Sequence, residues 1–192
     1  MSAEAVPPAA RDLLTGFDPR VAAMSVADEK LFRRVMGHFG TGVTVITTVA
    51  DGAVFGMTAN AFMAGSLDPP LCVVSIGRRA KMHARLKAAA RFGVSFLGED
   101  QARVSQHFSG VRALDLPPSF RSLADVPVLT DSLGVVVADV METVECGDHT
   151  LCIGWIVAMD SRGGRPLLFY AGRYAGLERE ARLEDLAPGS FW

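Results

Sequence analysis

Apolar positions along the chain switch between a helical and a strand period, and the switches mark out the elements. After Ala27-Asp28-Glu29, the side chains Leu31, Phe32, Val35, Met36 and Phe39 recur at helical spacing behind acidic residues, predicting a short amphipathic helix that ends at Gly40. The β-branched run from Gly42 to Val49 predicts a strand, Asp51-Gly52 a hairpin turn, and a second strand runs from Ala53 towards Phe62. Leu71 to Ile76 is continuously apolar behind Pro69-Pro70 and reads as a buried strand. Gly77 releases the chain into a helix from Arg78 to Ala90, with Met82, Leu86 and Ala89-Ala90 on its apolar side and Gly93 just beyond. Phe92 to Leu97 reads as a strand, Glu99 to Phe108 as a helix, and Ser109 to Asp125 as a loop with turns at Pro117-Pro118. Strands at Leu133 to Cys146 and Leu151 to Met159 flank the polar turn Gly147-Asp148, and Leu167 to Tyr170 is the last.

This order is mainly β, with few and inserted helices, and predicts an antiparallel β-barrel. Residues 1–26 are rich in alanine and proline and read as an N-terminal arm; 27–192 form one domain without internal repeat or linker. No Gly-x-Gly-x-x-Gly turn follows a strand, which disfavours a Rossmann nucleotide site.

Composition narrows the class. The 192 residues are 49% hydrophobic and 21% charged, enough for a sizeable core, and the formal net charge of -2 gives no global pull towards nucleic acid or an anionic membrane. The densest apolar run, Leu133 to Ala138, falls well short of the roughly 18 residues of a spanning helix. Three sparse cysteines, Cys72, Cys146 and Cys152, behind a start that lacks a secretory pattern lead us to expect a reducing, cytoplasmic compartment.

Candidate chemistry lies in three places. Thr58 and Asn60 share one face at period two, with small Ala59 between them, in a strand where large apolar side chains are the rule; a strand turning at a barrel corner is the alternative. The cluster Arg78, Arg79, Lys81, His83, Arg85, Lys87 and Arg91 begins at a helix start, where cations oppose the macrodipole unless an anion is bound; a solvated basic face is the alternative. Cys146-x-x-His149-x-x-Cys152 has metal-like spacing but no evident fourth ligand, so no metal is assigned. His149 instead sits in a polar turn of the kind that faces ligands, or is a plain turn residue. Nucleophile-elbow, zinc-protease and P-loop motifs are missing, so hydrolase chemistry has no support, whereas a bound cofactor needs only to be oriented.

In order along the chain, Gly42-Val-Thr-Val-Ile-Thr, Gly56-Met-Thr-Ala-Asn-Ala-Phe-Met, Ser66-Leu-Asp-Pro-Pro-Leu, Phe92-Gly-Val, Gly147-Asp-His-Thr-Leu and Pro166-Leu-Leu-Phe-Tyr-Ala-Gly-Arg-Tyr174 resemble the short-chain flavin reductases. These are the reductase components of two-component flavin-dependent monooxygenases. The resemblance implies a homodimeric, FMN-binding type of split β-barrel with Greek-key-like connections, which uses NADH or NADPH to reduce FMN or FAD and passes the reduced flavin to an oxygenase. It implies that Met57, Thr58, Ala59 and Asn60 line the flavin and that Ser75, Ile76, Arg78 and Lys81 approach its phosphate. Phe92 and Ser95 join the cofactor-binding set, His149 becomes the catalytic residue beside the nicotinamide or flavin ring, and Arg173 and Tyr174 close the pocket. Arg79 and Met82 stand where relatives tend to have small hydroxyl residues, Ser95 where asparagine is frequent, and Cys152 where a bulky aromatic is common. Two other readings remain open at this point: a non-enzymatic FMN-binding electron carrier, and a pyridoxamine-phosphate-oxidase-like enzyme.

Overall fold

The computed structural model describes residues 29–111, 115 and 118–177; the N-terminal arm at 1–26 lies outside them. Contacts divide the chain into two units, one ending at Phe39 and one beginning at Gly40. In the first, α1 (Glu29–Met36) is the predicted amphipathic helix, with Arg33 reaching back to Glu29 at 3.3 Å and the apolar stripe of Phe32, Val35 and Met36 exposed.

Among the described residues the second unit carries twelve strands: β1 (Thr41–Gly42), β2 (Thr44–Ala50), β3 (Ala53–Ala59), β4 (Phe62–Ser66), β5 (Leu71–Gly77), β6 (Arg91–Phe96), β7 (Phe120–Leu123), β8 (Val126–Leu129), β9 (Gly134–Cys146), β10 (His149–Ser161), β11 (Leu168–Tyr170) and β12 (Arg173–Ala175). Helix α2 (Lys81–Ala88) follows β5, and a short 3-10 turn at Glu99–Gln101 leads into α3 (Ala102–Phe108). Seven strands form one antiparallel sheet in the order β3-β2-β6-β9-β10-β5-β4. Its two edge strands, β3 and β4, are joined through Asn60 and Ala61 alone. The sheet is coiled: Phe62 of β4 stacks on Phe96 of β6 with centroids 5.1 Å apart, across the interior.

Alternation fills that interior. Ile46, Val74, Ile76, Phe92, Val94, Val136 and Ala138 point inward, and Met82 and Leu86 of α2 pack on the same cluster. Each of the larger side chains, valine and upward, contributes about 1.5–3 kcal/mol relative to exposure. Phe92 is accommodated by Gly154, where a Cβ would lie 2.8 Å from its ring. The outer face of β2, β6 and β9 is also covered, by the β7–β8 hairpin through Val126 and Val128 against Val135 and Val137. Covering both faces explains how β2 can bury Thr44, Thr47 and Thr48: their hydroxyls donate to the carbonyls of Ala59, Pro127 and Arg91, so no polar group is stranded.

The antiparallel, mainly β expectation holds, with local corrections. The strand expected to run from Ala53 to Phe62 breaks at Asn60, and β4 begins a new direction. The apolar run Leu71 to Ile76 is buried only at alternate residues, Cys72, Val74 and Ile76, because its other face is outward. Part of the loop expected from Ser109 to Asp125 is the strand β7, and β12 was not anticipated, since short strands of mixed polarity carry no period. Among the described residues no helix is long and apolar enough to cross a membrane.

Cys72 and Cys152 point into the interior, where burial pushes both thiols up to about 11, while Cys146 is exposed. A thiol-specific reagent near pH 8 is therefore expected to label Cys146 alone in the folded protein, and all three cysteines after denaturation, as read by intact-mass spectrometry.

Candidate active site

A groove of about 790 Å³ opens between β3, α2 and the C-terminal end of α3, lined by Phe55 to Thr58, Lys81, Met82, Arg85 and the segment His107 to Gly110. Its width is set by how closely α3 lies on β3. A Cβ at Gly56 would fall 2.5 Å from the ring of Phe108, so only glycine lets that ring seat on the strand. Beside it the Thr58 hydroxyl donates to the Ser105 carbonyl at 2.6 Å, and the fully buried Ser105 hydroxyl shares a 2.9 Å hydrogen bond with the Tyr174 hydroxyl. Tyr174 in turn packs edge-on to Phe169, which fastens α3 to the small β1-β11-β12 sheet. On the opposite wall, the Arg85 guanidinium lies 3.8 Å over the Phe55 ring and donates to the Lys81 carbonyl at 2.6 Å.

The basic cluster sorts itself by partner. Arg78 and Lys87 both approach Glu145 at 3.5 Å; Arg91 pairs with Asp139 and also donates to the Ala124 carbonyl; His83 meets the buried Thr150 hydroxyl at 2.9 Å. The Arg91 contact holds the Asp139 carboxyl below its usual range. Among the described residues, Arg79 and Lys81 have neither an ion pair nor a side-chain hydrogen bond. Helix α2 starts beside them at Ala80, which has no side chain to cap the first turn. Uncapped N–H groups next to cations that have no ion pair among the described residues favour an anion electrostatically.

Of the residues singled out in the sequence, Met57, Thr58 and Lys81 line this groove together. Ala59 packs against the interior, and Asn60 is exposed in the bend after β3, so it does not continue the face of Thr58 as the period-two reading expected. Ser75 is half-buried in β5, with its backbone N–H donating to the Ala61 carbonyl. The side chains of Ile76, Phe92 and Ser95 are buried and do not line this groove, and the Ser95 hydroxyl accepts the Leu129 backbone N–H at 3.0 Å. Arg78 turns to Glu145 instead of the groove. Tyr174 supports α3 from behind, and Arg173 is exposed on β12.

His149 opens β10 and is held at Nδ1 by Asp148 at 2.8 Å, a contact that lowers the Asp148 carboxyl below its usual range. Its Nε2 sits over Gly77, and the adjacent Arg78 N–H donates to the Asp148 carbonyl at 3.0 Å, stitching this turn to the segment that enters α2. His149 does not line the groove itself. Strand alternation sends Cys152 inward and leaves Cys146 outside, so the metal-like spacing does not converge.

Arg85, which the sequence placed in the basic cluster, also lines the groove, and Phe55, His107, Phe108, Ser109 and Gly110 are groove residues that the sequence did not single out. The helix stop at Ser109-Gly110 was legible, but not that it would face β3. The Nδ1 of His107 is buried and has no hydrogen-bond partner among the described residues, which costs about 1–3 kcal/mol.

The sequence model of the flavin reductase like domain matches residues 36–178. The chain belongs to that family. It is 38% identical over 170 residues to an NADH-dependent flavin reductase of a Rhodococcus species, covering 87% of this chain and 93% of that relative. The solved structure of flavin reductase PheA2 in its native state superposes with a TM-score of 0.77 at 43% identity, over 79% of this chain and 99% of that one. The styrene monooxygenase flavin reductase of Pseudomonas putida S12 gives 0.71 at 40% identity, over 78% and 99%. The pyridoxamine-phosphate-oxidase-like alternative gives way to this assignment.

Gly56→Ala places a methyl against the Phe108 ring and is expected to cost about 1–3 kcal/mol in urea denaturation, while pushing α3 off β3. A smaller loss with unchanged ligand affinity would show that the groove does not depend on this contact.

Proposed function

We propose that the chain catalyses the NADH-dependent reduction of FMN or FAD and delivers reduced flavin to a monooxygenase component. The observation that carries this reading is the groove, in which the start of α2, with Lys81 and beside it Arg79, neither ion-paired among the described residues, adjoins an aromatic wall, in a member of the flavin reductase family. Those features fit a flavin phosphate at α2 and a planar ring against β3 and α3.

A flavin held there would supply the redox chemistry, taking up the hydride that NADH gives. The residues supply position. Lys81, Arg79 and the first N–H groups of α2 hold the phosphate as charge-assisted donors. The Thr58 hydroxyl has committed its proton to Ser105, so it offers lone pairs and accepts from a ring N–H. Asn60, exposed at the corner, supplies an amide that both donates and accepts. Phe108 and Met82 exclude water from the groove floor. His149, oriented by Asp148, is assigned to the nicotinamide side, and Arg173 to the outer rim.

The finer assembly follows the same reading. The outward face of β4, β5 and β10 carries Met63, Val73 and Ile153 in one row and Leu71 with Trp155 in the next; Trp155 is 46% exposed. Such a face supports a homodimer, with the curled sheet as a split barrel whose seam runs between β3 and β4. Free cysteines support a cytoplasmic setting.

Purified protein mixed with NADH is expected to oxidise it only when FMN or FAD is added, at a rate that scales with the flavin. Tight flavin binding without turnover would return the electron-carrier reading. Lys81→Ala is expected to raise KM for FMN about tenfold and to leave riboflavin, which has no phosphate, unchanged. Equal effects on both flavins would remove the phosphate from Lys81.

A further inference from the structure

We propose that Arg85 and Phe55 form a subsite for the adenosine half of FAD, so that this groove selects FAD over FMN. The inference rests on the groove being the flavin site. Arg85 is unlike the other basic residues of its cluster. It is half-buried, it has no carboxylate partner among the described residues, and its guanidinium carbon lies 3.8 Å over the centre of the Phe55 ring while Nη1 donates to the Lys81 carbonyl. A stacked guanidinium uses one face on the phenyl ring and keeps the other, and Arg85 lines the groove. Guanidinium planes and aromatic rings are the surfaces on which purine bases stack with little regard to hydrogen bonding.

Position along the elements agrees with that chemistry. Arg85 lies one helical turn, about 6 Å, beyond Lys81 at the start of α2. Phe55 lies about 10 Å along β3 from Thr58. A ligand with its first phosphate at the α2 start and its ring edge at Thr58 therefore has the Phe55–Arg85 stack within reach of a second phosphate and its nucleoside. FMN ends at the first phosphate and leaves the stack unused. A volume of about 790 Å³ is in the upper part of the range for small-molecule sites, which leaves room for both halves of a dinucleotide.

The test is a set of fluorescence titrations with FAD, FMN and ADP on the full chain, as wild type, Arg85→Ala, Arg85→Lys and Phe55→Leu, each variant first checked for a native circular dichroism spectrum. Arg85→Ala is expected to weaken FAD and ADP about tenfold and FMN less than twofold. Arg85→Lys keeps the charge but loses the plane and is expected to behave like Arg85→Ala; if Arg85→Ala fails to fold, Arg85→Lys and Phe55→Leu decide. Equal losses for FMN and FAD, or full FAD affinity in Arg85→Lys, would overturn the subsite and leave the flavin site standing. So would a raised KM for NADH with FMN as acceptor and an unchanged FAD to FMN ratio, which would give the stack to the nicotinamide dinucleotide. Failure of the wild type to bind either flavin would overturn the groove as a flavin site, and the subsite with it.

Discussion

The contact between Phe108 and Gly56 sets the distance on which the site depends. A ring from the end of α3 rests directly on the backbone of β3, and every other wall of the groove is measured from that seat. The contact is dispersive and tolerates no methyl, but it is not alone. Thr58 and Tyr174 grip Ser105 through its carbonyl and its hydroxyl, so the helix is fixed in rotation as well as in distance. Both hydrogen bonds are at least partly buried, where breaking one leaves an unpaired group and costs more than making it gains. The groove is thus held open by packing on one side and by directional bonds on the other.

The electrostatics follow from a sorting of like charges. Seven basic residues within one stretch would repel one another if left alone. Glu145 takes two of them, Asp139 one, and Thr150 engages His83. Arg79 and Lys81, which have no ion pair among the described residues, stand where the helix backbone also favours an anion, so positive potential builds at the start of α2. Arg85 is spent differently, on the face of a ring.

The sheet makes this possible by being closed to water on both faces where it matters. The β7–β8 hairpin seals the outer face of β2, β6 and β9, which permits Ser95 and three threonines to be buried as hydrogen-bonded struts. Ser95, which the motif Phe92-Gly-Val places near a ligand, spends its hydroxyl on the Leu129 backbone N–H. A hydroxyl in a motif next to a binding site is as useful to the backbone of a covering hairpin as to a ligand, and only its exposure tells the two apart.

Much of the fold was legible in residue order. Period-two runs, the Asp51-Gly52 turn and the β-branched density of β2 mark the long strands because side-chain direction alternates locally. The basic stretch before α2 and the small, polar Met57 to Asn60 segment were likewise visible, because charge at a helix start and missing bulk in a strand are local anomalies. The break at Asn60, the burial of Phe92 and Ser95, and the meeting of Phe55 with Arg85 were not, since each depends on residues 30 to 60 positions apart in some cases and on which face of the sheet is covered. By itself the sequence determined a mainly antiparallel sheet and a cationic helix start of the flavin reductase kind. Only the tertiary structure decided that Arg78 pairs with Glu145 while Lys81 has no ion pair among the described residues, and that the end of α3 forms a wall of the groove. Periodicity reports what one residue does relative to its neighbours, while a site is a set of distances between residues that the chain brings together only by folding.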